Sequence, residues 1–337
     1  MSAKFSVLQV QIQNWKLVMS ESNRSNGMVE EFIIVGFPGL HDRASKNIIF
    51  GSLLSVYVCI LLSNLLIIGI FLLDEELHTP MYLLVANLAF SDIVITTTMV
   101  PKLLAVLGSG SNVISIPACF IQMFFISATI AVESFILALM SYDRYVAICK
   151  PLHYFSMTNN HLVTKQIISC WVSAFILMLF PVITTSRLQF CGSEVMSCFC
   201  ENAALHRVAC SDTSLSSYVG LASGIFITIG PFAFIVFSYV QIIMSVVRAS
   251  SSTGYRKAFY TCSTHLLIIA VFYLFAIGTY PAGRIANVSA DMRIMVLLLQ
   301  NVIPPLINPI IYCLRTKEIQ KSFFKILKRN KILSKCF

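Results

Sequence analysis

Three sets of residues in this chain have types and spacings that could do chemistry. The first is an adjacent acid and base, Asp143 and Arg144, inside MSYDRYVAICKPLHY (140–154), with a tyrosine on each flank. The second is a pair of acids in apolar surroundings, Asp92 and Glu133. The third is a cluster of cysteines, Cys191, Cys198, Cys200 and Cys210. Charges are costly in lipid, so acids within apolar runs must face a protein interior or water. If Asp92 and Glu133 approach each other, both cannot stay ionised unaided: one holds a proton, or a cation binds between them. Clustered cysteines in an oxidising compartment point to disulfides; no helpful histidine arrangement supports a metal cluster instead. No nucleophile–base set, metal motif or phosphate-binding glycine loop is visible, so no catalytic residues and no enzyme are expected.

The elements that carry these residues are membrane helices. The chain has 337 residues, 57% hydrophobic and 12% charged, against about 25% charged in a soluble domain. Mean hydropathy is +0.81. Apolar runs recur at about 47–73, 80–105, 117–148, 163–185, 216–247, 258–281 and 292–313, each long enough to cross a bilayer. Beyond them, Ile319, Phe323, Ile326 and Leu327 fall at helical spacing among lysines, the pattern of an interfacial amphipathic helix. The expected fold is an all-α membrane protein, a seven-transmembrane helix bundle with a short amphipathic eighth helix. It divides into an N-terminal tail (1–46), the bundle (47–314) and a basic tail (315–337).

Charge sets the expected orientation. Of 24 Lys and Arg residues, eight lie after residue 314, so the net charge of +9 reads as attraction to anionic lipid, with no nucleic acid implied. With the basic end inside, an odd number of spans puts the N-terminus outside, in a multi-pass plasma-membrane protein. Lys150, Arg248, Arg256 and Lys257 then fall inside, as the positive-inside rule requires. Residues 1–28 hold no apolar run long enough for a cleaved signal peptide, so the first span is expected to act as an uncleaved anchor. Asn23 heads a glycosylation sequon in the outer tail, and Asn287 heads another nearer the membrane. Cys119 to Arg144 spans 25 residues, roughly 37 Å of helix, which puts Arg144 at the inner rim and Cys119 at the outer one. No internal repeat of the kind common in transporters is visible.

Span seven ends in PPLINPIIY (304–312). Pro309 removes a helical hydrogen bond, and Asn308 is expected to satisfy the freed groups or bind a water. The distortion reads either as a fixed kink or as a hinge, and Pro231 in span five admits the same two readings. Asp143-Arg144-Tyr145 ending span three, Asn308 to Tyr312 ending span seven, Asn64, Asp92, Trp171 and Pro231, in register across seven spans, resemble a rhodopsin-like G-protein-coupled receptor. The longer strings LHTPMYLLVANLAFSD (77–92), MSYDRYVAICKPLHY (140–154), SY (238–239), KAFYTCSTHL (257–266) and PPLINPIIYCLRTKEI (304–319) resemble odorant receptors, over about residues 31–330. FPGL (37–40) resembles the fish-like class I pattern, whereas YDRYVAICKPLHY resembles class II.

The resemblance implies roles for single residues. Arg144, within Asp143-Arg144-Tyr145, is held by neighbours at rest and packs under the C-terminal helix of a G protein on activation, with Tyr239 and Tyr312 as partners. His265 joins that switch or is a satisfied core residue. Asn308 and Pro309 belong to the same machinery, and Pro151 and Leu152 begin the link that touches the partner. Implied disulfides are Cys119–Cys200 and Cys191–Cys210, with Cys198 outside the common pattern. Asp92 and Glu133 resemble a sodium site; no other cofactor is implied. The ligand pocket is implied among Ile126, Ser127, Ile130, Ser223, Ile227, Tyr273, Ala276 and Tyr280, with Arg284 as a holder of a ligand carboxylate or as a solvated loop arginine. The implied function is binding of a small odorant, followed by activation of a stimulatory G protein and a rise in cyclic AMP. The alternatives are a non-chemosensory receptor of the same fold, or a transporter using Asp92, Glu133 and Arg144 as a pathway.

Overall fold

Each long apolar run becomes a helix because lipid offers its backbone no partner but itself. A computed structural model describes residues 29–248, 262–276 and 289–333. Five long helices come first: α1 (Arg43–Leu73), α2 (Pro80–Gly108), α3 (Ile116–Cys149), α4 (Asn160–Ser186) and α5 (Ser214–Arg248). The described part of α6 is Cys262–Ala276. α7 (Ala290–Arg315) and α8 (Lys317–Leu333) complete the series. Seven membrane helices and an amphipathic eighth thus follow the expected spans, with ends shifted by a few residues. The remainder of the sixth expected span lies outside the described residues, as do Asn23, Asn287, Tyr280 and Arg284.

Local chemistry fixes the helix starts. The Ser45 N–H donates to Asp42 Oδ2 at 2.9 Å and the Leu162 N–H to Asn159 Oδ1 at 2.8 Å, each satisfying one of the orphan donors of a helix N-terminus. Pro80 opens α2 where its missing N–H leaves nothing unpaired. Helix α3 is the axis of the bundle, packing on α2, α4 and α5. Helices α2 and α3 bury most of their apolar length, whereas α1, α4 and α5 leave most of theirs exposed for lipid.

One layer is additional to the expected helices. β1 (Glu31–Ile34) pairs antiparallel with β2 (Val113–Ser115) and parallel with β3 (Glu194–Val195), in the order β2-β1-β3. Phe32 and Ile34 on β1 are fully buried, packing with Cys119, Met123, Val195 and Leu205. The tail before α1 is therefore in part a strand of a small sheet over one end of the bundle, the end that carries the cysteine cluster.

At the opposite end, α8 is clasped to the link after α1. Lys321 Nζ meets Glu76 Oε2 at 3.0 Å. Lys325 Nζ meets Asp74 Oδ1 and Glu76 Oε1 at 2.9 Å each. The Ser322 hydroxyl and the Lys325 ammonium hold the Asp74 carboxyl below the usual carboxylate range. Ile319 and Ser322 are buried and Phe323 and Ile326 half-buried, whereas Leu327 is exposed. The inward stripe of α8 thus keeps three of the four expected residues, with Ser322 in place of Leu327.

Candidate functional site

At the end of α3 away from the sheet, Arg144 Nη2 and Nε donate to Asp143 Oδ2 at 2.6 and 3.1 Å. The Tyr154 hydroxyl donates to the other carboxylate oxygen at 2.9 Å. Asp143 is buried and its carboxylate is fully engaged. This is a charge-assisted clamp, stronger than a neutral hydrogen bond. Tyr239 and Tyr312, expected as partners of Arg144, are not bonded to it here. The Tyr312 hydroxyl points at Met140 Sδ, 3.8 Å away, and the Tyr239 hydroxyl is buried without a partner. His265 is buried, its ring edge-on to Tyr312 with centroids 6.4 Å apart. Pro151 and Leu152 lie on the surface, Leu152 at 95% exposure.

Halfway up the bundle, Asp92 accepts from Asn308 Nδ2 at 3.1 and 3.3 Å. Of the two roles expected for Asn308, satisfying the backbone freed by Pro309 or binding a water, the first falls to another residue. The carbonyl deprived of its helical donor is that of Pro305, four residues earlier, and Asn64 Nδ2 on α1 donates to it at 3.0 Å. Asn308 is left to hold the acid. Glu133 is buried as well, with Oε1 unpartnered, and so are Asn308 Oδ1 and Asn64 Oδ1. Orphaned oxygens beside two buried acids suit a cation or added protons, so the residues fit a small metal ion. Among the described residues, no group of three or more His, Cys, Asp or Glu side chains could hold a metal.

Towards the sheet, the cysteines pair as the resemblance implied. Cys119 is bonded to Cys200 and Cys191 to Cys210; Cys198 stays a buried free thiol. Gln122 of α3 reinforces the first bridge, accepting from the Cys200 N–H at 3.0 Å and donating to the Thr98 carbonyl on α2 at 3.0 Å. The pinned loop continues as a short helix, Asn202–Val208.

Under this loop lies a cavity of about 490 Å³, among α3, α5, α7 and the loop, within the size range of small-molecule sites. Ile126, Ser127 and Ile130 line it. A deeper, adjoining cavity of about 180 Å³ is lined by Ser127, Ile130, Ser223, Ile227 and Ala276. Gly220 borders both; a Cβ there would meet Asn202 Nδ2 at 3.3 Å. Tyr273 does not line either cavity. Its hydroxyl is 3.0 Å from Ser134 Oγ, which donates to the Ile227 carbonyl at 2.6 Å. That chain joins α3, α5 and α6 at the wall of the deeper cavity, which Ser134 and Ile227 line. Sequence reasoning missed the loop's contribution, Phe199, Glu201, Asn202, His206 and Arg207, and that of α7, Arg293, Gln300 and Asn301. The α7 residues had a usable signal, since polar side chains in or at an apolar span are functional candidates. The loop residues had none, because only the folded disulfides aim them inward.

Comparisons with known proteins bear on the same features. The family model described as "Olfactory receptor" matches residues 53–330. Olfactory receptor 2A12 of Homo sapiens is 36% identical over 312 residues, covering 92% of this chain and 99% of that protein. Olfactory receptor 6N1 of Homo sapiens is 37% identical over 307 residues, 91% of this chain and 97% of that one. In three dimensions the chain is similar to squid rhodopsin, with a TM-score of 0.71 at 16% identity, covering 84% of this chain and 81% of that one. This last likeness concerns the fold alone.

Proposed function

Because this chain belongs to the olfactory receptor family, as a G-protein-coupled receptor and not an enzyme, we propose that it binds a small odorant and activates a stimulatory G protein, raising cyclic AMP. The observation that carries the proposal is the pairing of two sites on one helix. The cavity touches α3 at Ile126, Ser127 and Ile130, and the Arg144 clamp closes the other end of the same helix. An agonist that binds better when the clamp is open shifts the population towards the open form by that difference in affinity. The Ser134–Tyr273 bond ties α3 to α6 between the two sites and is the joint we expect to change.

In this proposal the N-terminus and the sheet are extracellular, and α8 and Arg144 are cytoplasmic. The disulfides support that orientation, since they persist in an oxidising compartment. Pro151, Leu152, Tyr239 and Tyr312 serve the G-protein side, and Asn23 carries the glycan. Asp92 and Glu133, with Asn308, would hold a sodium ion, which would supply the positive charge that two buried acids lack. The ligand proposed is one with a carboxylate; Arg284, outside the described residues, is the holder that the sequence suggested.

The test is a cyclic-AMP screen in transfected cells against acids, amines and neutral volatiles, comparing wild type with Arg144→Ala. The expected outcome is an agonist response in wild type and none in the variant, with ligand binding retained. Agonist responses carried only by an inhibitory G protein, or unchanged in Arg144→Ala, would overturn the proposal.

A further inference from the structure

The 490 Å³ cavity has an uneven charge. Arg207 from the loop helix and Arg293 from the first turn of α7 both line it, and among the described residues Glu201 is the one acid on its wall. Among those residues, too, neither arginine is within ion-pair distance of an acid, although the charges of both act on the Glu201 carboxyl across the wall. Arg293 Nε is buried with no hydrogen-bond partner. The acid two residues before it gives no help: side chains at i and i+2 on a helix do not face each other, and both Asp291 oxygens accept from the Gly39 N–H at 3.1 Å. The fourth titratable wall residue, His206, is held by hydroxyls, with Ser216 Oγ 2.9 Å from Nε2 and Ser217 Oγ 3.2 Å from Nδ1. Burial pushes its imidazole below the ordinary value, so it stays neutral. Among the described residues, two guanidinium groups against one carboxylate leave the wall one positive charge in excess.

Arg293 is half-buried and Arg207 exposed; a buried donor such as Arg293 Nε left without a partner is costly, and a carboxylate matches the guanidinium fork. Beyond Arg293 the wall mixes apolar Leu297, Ile126 and Ile130 with Ser127, Gln300 and Asn301, so a ligand with an anionic head finds apolar surface for a hydrocarbon tail behind it. We propose that Arg293, flanked by Arg207, is the anion-holding residue of this cavity, and that the cavity takes a medium-chain monocarboxylate with its tail against α3. This rests on the cavity being the ligand site, and it moves the acid contact from the expected Arg284 to α7 and the loop.

The experiment uses the full-length receptor purified into lipid nanodiscs. Octanoate, methyl octanoate and 1-octanol are compared as probes by the ligand-dependent shift in thermal unfolding midpoint. Octanoate is expected to stabilise wild type at lower concentration than the other two. Arg293→Gln should weaken octanoate by about tenfold to a hundredfold, the scale of a lost charged hydrogen bond, and leave 1-octanol unchanged. Arg293→Lys should recover part of the loss, and Glu201→Gln should tighten octanoate, which a merely structural ion pair would not do. The two milder variants carry the test if Arg293→Gln does not fold. Wild type that binds octanoate no better than 1-octanol, or octanoate affinity unchanged by Arg293→Gln and Glu201→Gln, overturns the proposal. Nucleotide exchange on a stimulatory G protein is read on the same samples. Arg293-dependent binding without exchange would sink the signalling proposal and leave this one standing.

Discussion

The clamp at the end of α3 is made of one chain neighbour and one residue from the turn that follows the helix. Asp143 holds Arg144 with one carboxylate oxygen and the Tyr154 hydroxyl with the other. Burial, and then the adjacent carboxylate, push the Tyr154 phenol up, so it stays a donor throughout the working pH range. Tyr154→Phe removes one bond to a charged group, worth roughly 1.5–3 kcal/mol. Ligand-free nucleotide exchange should rise several-fold, and an unchanged basal rate would count against Asp143 as the restraint. His206 predicts a pH effect of definite sign. Its folded pKa lies below its ordinary value, so as pH falls through about 6.5 the unfolded chain takes the proton first. Stability is therefore lost with acidification until the folded ring also titrates. The unfolding midpoint should drop more in wild type than in His206→Gln between about pH 7 and 5; parallel curves would assign the effect elsewhere. Of these residues the sequence exposed Asp143 and Arg144, because they are adjacent, but not Tyr154, which the turn after α3 brings back. It could not expose Asn64 on the Pro305 carbonyl, whose partners meet only once α1 packs on α7.

Among the elements, α8 shows how a basic segment can be more than a lipid anchor. Its lysines read as partners of anionic lipid, and the link after α1 carries acids. In the fold they satisfy each other. Lys325 reaches Asp74, which is buried, whereas Lys321 reaches only the exposed Glu76. A buried acid that loses its cation suffers more than an exposed one. Lys325→Ala should therefore lower the unfolding midpoint more than Lys321→Ala, and the gap should persist in high salt. Equal effects would mean that Asp74 draws its support from Ser322 alone. The helices themselves were legible because lipid imposes apolar runs of known length. β1 was not: four residues give too short a pattern, and the strand forms only because β2 and β3 lie ready beside it.

For the molecule as a whole, the bridge from Cys119 to Cys200 closes a loop with a sequence separation of 81. Chain-entropy reasoning puts its contribution at about 4–5 kcal/mol. Cys119→Ser should abolish surface expression, seen by flow cytometry with an N-terminal tag; normal expression would show that packing alone seats the loop. The same bridge explains why the cavity was half legible. Its α3, α5 and α7 walls follow from helix positions, whereas Glu201, His206 and Arg207 are aimed inward by a covalent tie between distant segments. The sheet over this end also carries a consequence in time. Ile33 pairs with Glu194, so on the proposed orientation β1 crosses the membrane first and waits while four more helices are made. At roughly 5–20 residues per second of synthesis, that wait is on the order of ten to thirty seconds. Throughout it the strand's edge is bare, and bare edges invite wrong partners. The last seam to close is thus also the best mark of an unfinished receptor, one that a folding chaperone on the outer side could read before release.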